Sequence, residues 1–181
     1  MMRLFPMEVS LDHWKEYACR QMTRAREATL RFIMRLPERV IIEPHTQGQW
    51  SIKDVLAHLI AWEEEAIRRL ELILRDQGDR IVFIDDRRAA DAFNADAVRR
   101  MRRTSLKTLL HRMARTRARL TQRFQQLPIS ALNDPRHRYP VIEWFPEFAW
   151  THEHDHLRRM QRWWYNRRRT IRRKSSKENP A

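Results

Sequence analysis

Gln49-Trp50-Ser51-Ile52-Lys53-Asp54-Val55-Leu56-Ala57-His58-Leu59-Ile60-Ala61-Trp62-Glu63 reads as the opening of a long helix. The Ser51 hydroxyl can accept a bond from a free backbone N–H of the first turn. Asp54, three residues on, can return one, an acidic form of the capping box. Trp50 before the cap and Val55 at the fourth helical position can pack together as a hydrophobic staple. Ile52, Val55, Leu56, Leu59, Ala66, Ile67, Leu70 and Leu74 then recur at helical spacing, so one apolar face is turned to a core. The helix is expected to run to about Gln77, with Gly78 placed to end it.

Three further helical patterns flank this one. Before it, Leu11, Trp14, Ala18, Met22, Ala25, Thr29, Phe32 and Leu36 predict a helix over about 10–36, closed by Pro37. After it, Ile81-Val82-Phe83-Ile84 is a β-like run with no partner strand in sight, so 78–86 is expected to be a crossover loop packed on the helices. The third pattern covers about 88–127, with an internal cap at Thr104-Ser105 that can divide it in two. The fourth covers about 146–169, with Pro146 suited to a first helical position and a stripe of Phe148, His152, His156, Met160, Trp163 and Trp164. The Pro-rich loop between them, 128–146, is long enough to suggest a functional role.

Composition agrees with an all-α domain. Two glycines are too few for the turns of a sandwich or barrel. A 42% hydrophobic content with seven Trp and seven Phe is not that of a disordered chain. The single Cys19 cannot form an internal disulfide, and no apolar run is long enough for a signal peptide or a membrane span. The expectation is a cytoplasmic protein without a membrane association. The net charge of +14 hints at an anionic partner. Much of the charge lies in Arg167-Arg168-Arg169-Thr170-Ile171-Arg172-Arg173-Lys174. The expected organisation is therefore a helical domain over 1–166 and a basic, disordered tail over 167–181, either solvated or in contact with nucleic acid.

Thr151-His152-Glu153-His154-Asp155-His156 carries the chemistry. At about 100° per residue, His152 and His156 lie on one face, while His154 falls on the other side. That face continues the apolar row of Phe148, Met160 and Trp163, and two imidazoles buried there need partners for their ring nitrogens. Either they are hydrogen-bonded core residues, or they hold one metal ion as paired histidines on a helix do. His58, at the edge of the second helix's apolar face, is the natural third member, and Glu65, seven residues on, could orient a ligand or move a proton. Three imidazoles with an open position make a catalytic metal geometry.

Gln49 to Glu63 resembles the W-S-x-K-D-x-x-A-H-x-x-x-W-E signature of the DinB-like superfamily, and most closely its ClbS/DfsB branch. Asp91-Ala92-Phe93-Asn94 resembles that branch's D-x-F-N segment. Trp150 to His156, with Met160 and Trp163, resembles its closing T-x-x-H-x-x-x-H segment. The T-x-x-H spacing from Thr151 points to His154, whereas the superfamily metal pattern fits His152 and His156. The resemblance covers roughly 8–166. It implies a four-helix bundle in up-down-down-up order with a long crossover between the second and third helices. It also implies metal-dependent hydrolase or thiol-dependent transferase chemistry at a triad matching His58, His152 and His156.

Three functions follow as expectations. The first is a hydrolase or transferase acting on a small molecule through a divalent metal, Zn or Ni, held by the triad. Its substrate would enter near 128–146 against a wall of Tyr139, Trp144 and Phe145. The second is a metal-free protective protein that binds or hydrolyses an electrophile, with His58 and Glu65 moving the proton. The third is a nucleic-acid binder working through the arginine-rich tail. A homodimer stays open in each case.

Overall fold

The computed structural model describes residues 10–178. Its elements are α1 (Leu11–Ile33), α2 (Glu38–Ile41), α3 (Ile52–Leu74), α4 (Arg87–Met101), α5 (Leu106–Gln126), α6 (Val141–Pro146) and α7 (His152–Glu178), with single turns of 3-10 or π helix between some of them. No strand occurs among the described residues; Gln47 and Trp50 form an isolated bridge. The all-α class expected from the sequence is what the chain adopts, with the third pattern divided into α4 and α5.

The helix starts follow local chemistry. The Ser51 side chain accepts from the Asp54 backbone N–H at 3.1 Å, and Asp54 Oδ2 accepts from the Ser51 N–H at 2.9 Å, completing the capping box. Trp50 and Val55 pack in one apolar cluster. Ser105 caps α5 by accepting from the Thr108 N–H at 3.1 Å, which explains the division between α4 and α5. Asp86 caps α4 by accepting from the Ala89 N–H.

Two helix ends differ from expectation. α3 stops at Leu74, short of Gly78. Asp76 takes the left-handed conformation, φ 55°, and the Gln77 N–H bonds to the Leu72 carbonyl at 2.9 Å, a Schellman closure in which an Asp fills the glycine position. Gly78 is small for another reason: a Cβ there would lie 2.3 Å from His137 Nε2. Pro146 does not begin a helix but ends α6, which starts after Pro140. A proline has no N–H to bond back to residue i−4, and the chain relaxes into a π turn, Glu147–Thr151. The Thr151 hydroxyl donates to the Pro146 carbonyl at 3.1 Å.

The core has three layers. One apolar cluster includes Met22, Ala25, Ala66, Leu70, Leu120, Phe124, Phe145 and Trp150. A second includes Ile33, Ile52, Leu56, Ile60, Leu109, Met113, Leu157 and Met160. Between them each long helix contributes one member of a buried charge layer: Arg26 on α1, Glu63 on α3, Arg117 on α5 and Glu153 on α7; α3 also buries Arg69, outside this layer. Arg26 Nη2 donates to Glu63 at 2.6 Å and its Nε to Glu153 at 2.9 Å. Arg117 Nη2 donates to Glu153 at 2.7 Å and also to Glu63. The chain crosses these layers one way on α1 and α7 and the opposite way on α3 and α5. The link between α3 and α4 contains no strand; its Ile81 and Phe83 pack on the first cluster.

The basic segment begins inside α7. α7 continues to Glu178 without a break, so 167–178 is helical, while 179–181 lie outside the described residues. Arg167 pairs with Glu43 at 2.6 Å, and its guanidinium lies 5.5 Å from the Trp163 ring centroid.

Candidate metal centre

His58 comes two turns below the Ser51 cap, on the stretch of α3 where Val55 to Ala61 are all buried. His152 is the first residue of α7, directly after the π turn, and His156 follows one turn on. The three rings converge on their Nε2 atoms. His58 Nε2 and His156 Nε2 each lie 2.9 Å from His152 Nε2, and the ligand-capable nitrogens all fall within 4.8 Å of one another. His58 and His156 are buried and His152 is half-buried. His154, on the same helix, is not part of the group.

Burial keeps all three rings neutral at physiological pH. It pushes His58 down to about 2, with the neighbouring His152 and His156 adding to the shift. It lowers His156 to about 3, again with help from His152. His152 is lowered chiefly by burial. Neutral imidazoles have lone pairs to give. On His156 the assignment follows from Gln47, whose Oε1 lies 2.9 Å from His156 Nδ1 while its Nε2 donates to the His156 carbonyl at 3.2 Å. An amide oxygen only accepts, so Nδ1 carries the proton and the His156 lone pair is on Nε2, facing the other rings. Gln47 is set by a tight turn. Gly48 takes φ 60°, and the Trp50 N–H bonds to the Gln47 carbonyl at 3.0 Å.

This donor set fits a divalent cation. Three nitrogens around a tetrahedral ion at about 2.0–2.1 Å stand roughly 3.3 Å apart; the two approaches to His152 are 2.9 Å, and all three ligand atoms lie within 4.8 Å of one another. Without an ion, two close N···N approaches must share the available Nε2 protons; with one, three lone pairs have a common acceptor. The His58 Nδ1 is buried without a hydrogen bond of normal geometry, and the Asn94 side chain lies near enough to oppose the downward shift of the ring's pKa.

Aromatic rings wall the site. The Trp50 ring centroid is 5.0 Å from His58, and Trp62 lies 6.3 Å from both His58 and His152. Phe93 and Phe148 flank Trp62 at 4.8 and 5.1 Å. The Trp62 indole N–H donates to Asn94 Oδ1 at 2.9 Å, so the polar handle of the wall comes from α4. Phe93 and Asn94 therefore back the histidine site through Trp62, while Asp91 is exposed and pairs with Arg87.

Two sequence expectations meet different neighbours in the structure. The Glu65 carboxylate accepts from Arg68 and Arg69 at 2.7 to 2.8 Å. Burial alone would raise its pKa, but these hydrogen bonds outweigh burial and hold it below the ordinary value, which makes it a weak base. Trp144 and Phe145 do not line the histidine site. They belong to the opposite apolar cluster, where Phe145 stacks on Phe124 at 4.1 Å, and Tyr139 meets Phe83 edge-on at 4.8 Å. The rings against the histidines are Trp50 and Trp62, with Phe93 and Phe148 packed behind Trp62. Gln47 and the buried charge quartet were not singled out from the sequence, and Asn94 and Glu63 were read only as parts of motifs. Arg26 beside Ala25 and Arg117 beside Thr116, each next to an apolar stripe, were the signals of buried charge.

No curated protein and no solved structure matches the chain. A family model does, over residues 21–160, a span that contains the α3 opening, the three converging histidines and the buried charge layer. The chain belongs to the DinB superfamily.

Proposed function

We propose that this protein is a metal-dependent enzyme of hydrolase or transferase type acting on a small molecule, with His58, His152 and His156 holding a Zn or Ni ion. The observation that carries the reading is the convergence of three neutral imidazole Nε2 atoms within 4.8 Å in a buried site. When bound, the ion would act as a Lewis acid on a substrate oxygen or on water. The chain's own part is to hold the ligands and shape the surroundings. Gln47 keeps the His156 proton on Nδ1, and ligand orientation of this kind supports affinity. Trp50, Trp62, Phe93 and Phe148 exclude water and lower the local dielectric, which strengthens every electrostatic contact inside. His152, the most open of the three, marks the side of approach for substrate. The D-x-F-N segment, Asp91 to Asn94, favours the ClbS/DfsB branch and with it an electrophilic substrate.

The test is metal analysis of protein purified without an affinity tag, from cells supplied with Zn and Ni. Stoichiometric metal in the parent and its loss in His152→Ala are expected. Metal-free parent protein after repletion overturns the proposal.

A further inference from the structure

A second concave feature lies at the far end of α7. A groove of about 290 Å³ is lined by Phe32 of α1 and by Gln161, Trp164, Tyr165, Arg168 and Arg169 of α7. Trp164 is eight residues beyond His156, about 12 Å further along the helix, so the groove is separate from the histidine site.

Its lining combines two properties seldom placed together by chance. The first is exposed aromatic surface. Tyr165 is 63% exposed, and Trp164 and Phe32 are each half-buried, with one face against the core cluster and the other open to the groove. Flat apolar rings left in water are costly unless something covers them. The second is uncompensated positive charge. Arg167 is engaged by Glu43, but Arg168 and Arg169 are exposed and have no carboxylate partner among the described residues. The Arg169 guanidinium stands 5.9 Å from the Tyr165 ring centroid, so cation and aromatic ring share one surface. At helical spacing, Gln161, Trp164, Tyr165 and Arg168 occupy one face.

We propose that this groove binds single-stranded nucleic acid, one base stacking on Trp164 and Tyr165 while neighbouring phosphates meet Arg168 and Arg169. The net charge of +14 supplies the long-range attraction. The aromatic faces choose among anionic partners. An unpaired base offers a flat face to stack, whereas a duplex hides its base faces and presents phosphates alone. A volume at the lower end of small-ligand pockets suits one planar group at a time.

The experiment is fluorescence anisotropy of a labelled oligothymidylate with the full chain, titrated over a range of salt. The parent is expected to bind with affinity that falls steeply with salt. Arg168→Ala/Arg169→Ala should flatten the log–log salt slope by about 1.4, roughly 0.7 for each phosphate contact on a single strand. Tyr165→Ala should weaken binding about tenfold and leave the slope unchanged. All three substitutions are at exposed positions, and matching thermal unfolding of parent and variants checks that the fold is intact. Equal affinity for duplex of the same length, or no effect of Tyr165→Ala, overturns the proposal. So does binding confined to phosphatidylserine vesicles with no binding to the oligonucleotide.

Discussion

At the scale of single residues, the site depends on side chains that decide where protons sit. Three buried imidazoles are useful to a cation only if their facing nitrogens carry lone pairs. Gln47 settles this for His156 through one 2.9 Å contact, held in place by its second bond to the His156 carbonyl. Gln47→Leu keeps most of the volume and removes the acceptor. It should weaken metal affinity by about 10- to 100-fold, the usual effect of losing a partner behind a ligand histidine. Competition with a chromogenic chelator measures it, and unchanged affinity would show that the His156 tautomer needs no help. Glu65 shows the opposite case: seven residues from His58 it looks available, yet two arginines hold its charge. Sequence spacing placed it on the correct helix face and could not tell which neighbour claims it.

At the scale of elements, the histidines are delivered by how two helices begin. α3 starts with a complete capping box at Ser51, which satisfies otherwise orphaned backbone N–H groups two turns before His58. Ser51→Ala should cost about 1 kcal/mol of stability. Chemical denaturation reads this directly, and no change in midpoint would mean that Trp50 packing alone secures the start. α7 begins at His152 because the proline at 146 breaks the helical ladder and a π turn takes up the mismatch. A π turn shifts the angular phase of everything after it, so the direction of His152 and His156 depends on the five residues Glu147–Thr151. The apolar row through Phe148, His152 and Met160 was legible from periodicity; the turn within it was not, since Pro146 fits a helix start equally well.

At the scale of the whole molecule, a layer of alternating charges divides two apolar cores. Each long helix contributes one member, and the four charges cancel in pairs. Breaking such a set is costly because the remaining charges stay buried without compensation. Glu153→Ala should destabilise the fold by about 3–5 kcal/mol. Joint replacement of Arg26, Glu63, Arg117 and Glu153 by apolar residues of similar volume should cost far less, because it leaves no charge behind. Thermal unfolding of the two proteins compares them. Equal losses would show that the layer acts by packing rather than by charge. The layer also ties α3 to α7, the two helices that bring His58 to His152 and His156.

Helix positions, apolar faces, the Ser51 and Ser105 caps and the pairing of His152 with His156 were contained in the sequence itself. Each rests on residues within a turn or two of one another, where spacing alone imposes geometry. Only the tertiary structure decided who partners whom. Gln47 and His156 are 109 residues apart, and Arg26 and Glu153 are 127 apart. Many polar side chains look alike from local sequence, and burial selects among them only when the helices come together and every charge or lone pair removed from water must find a counterpart.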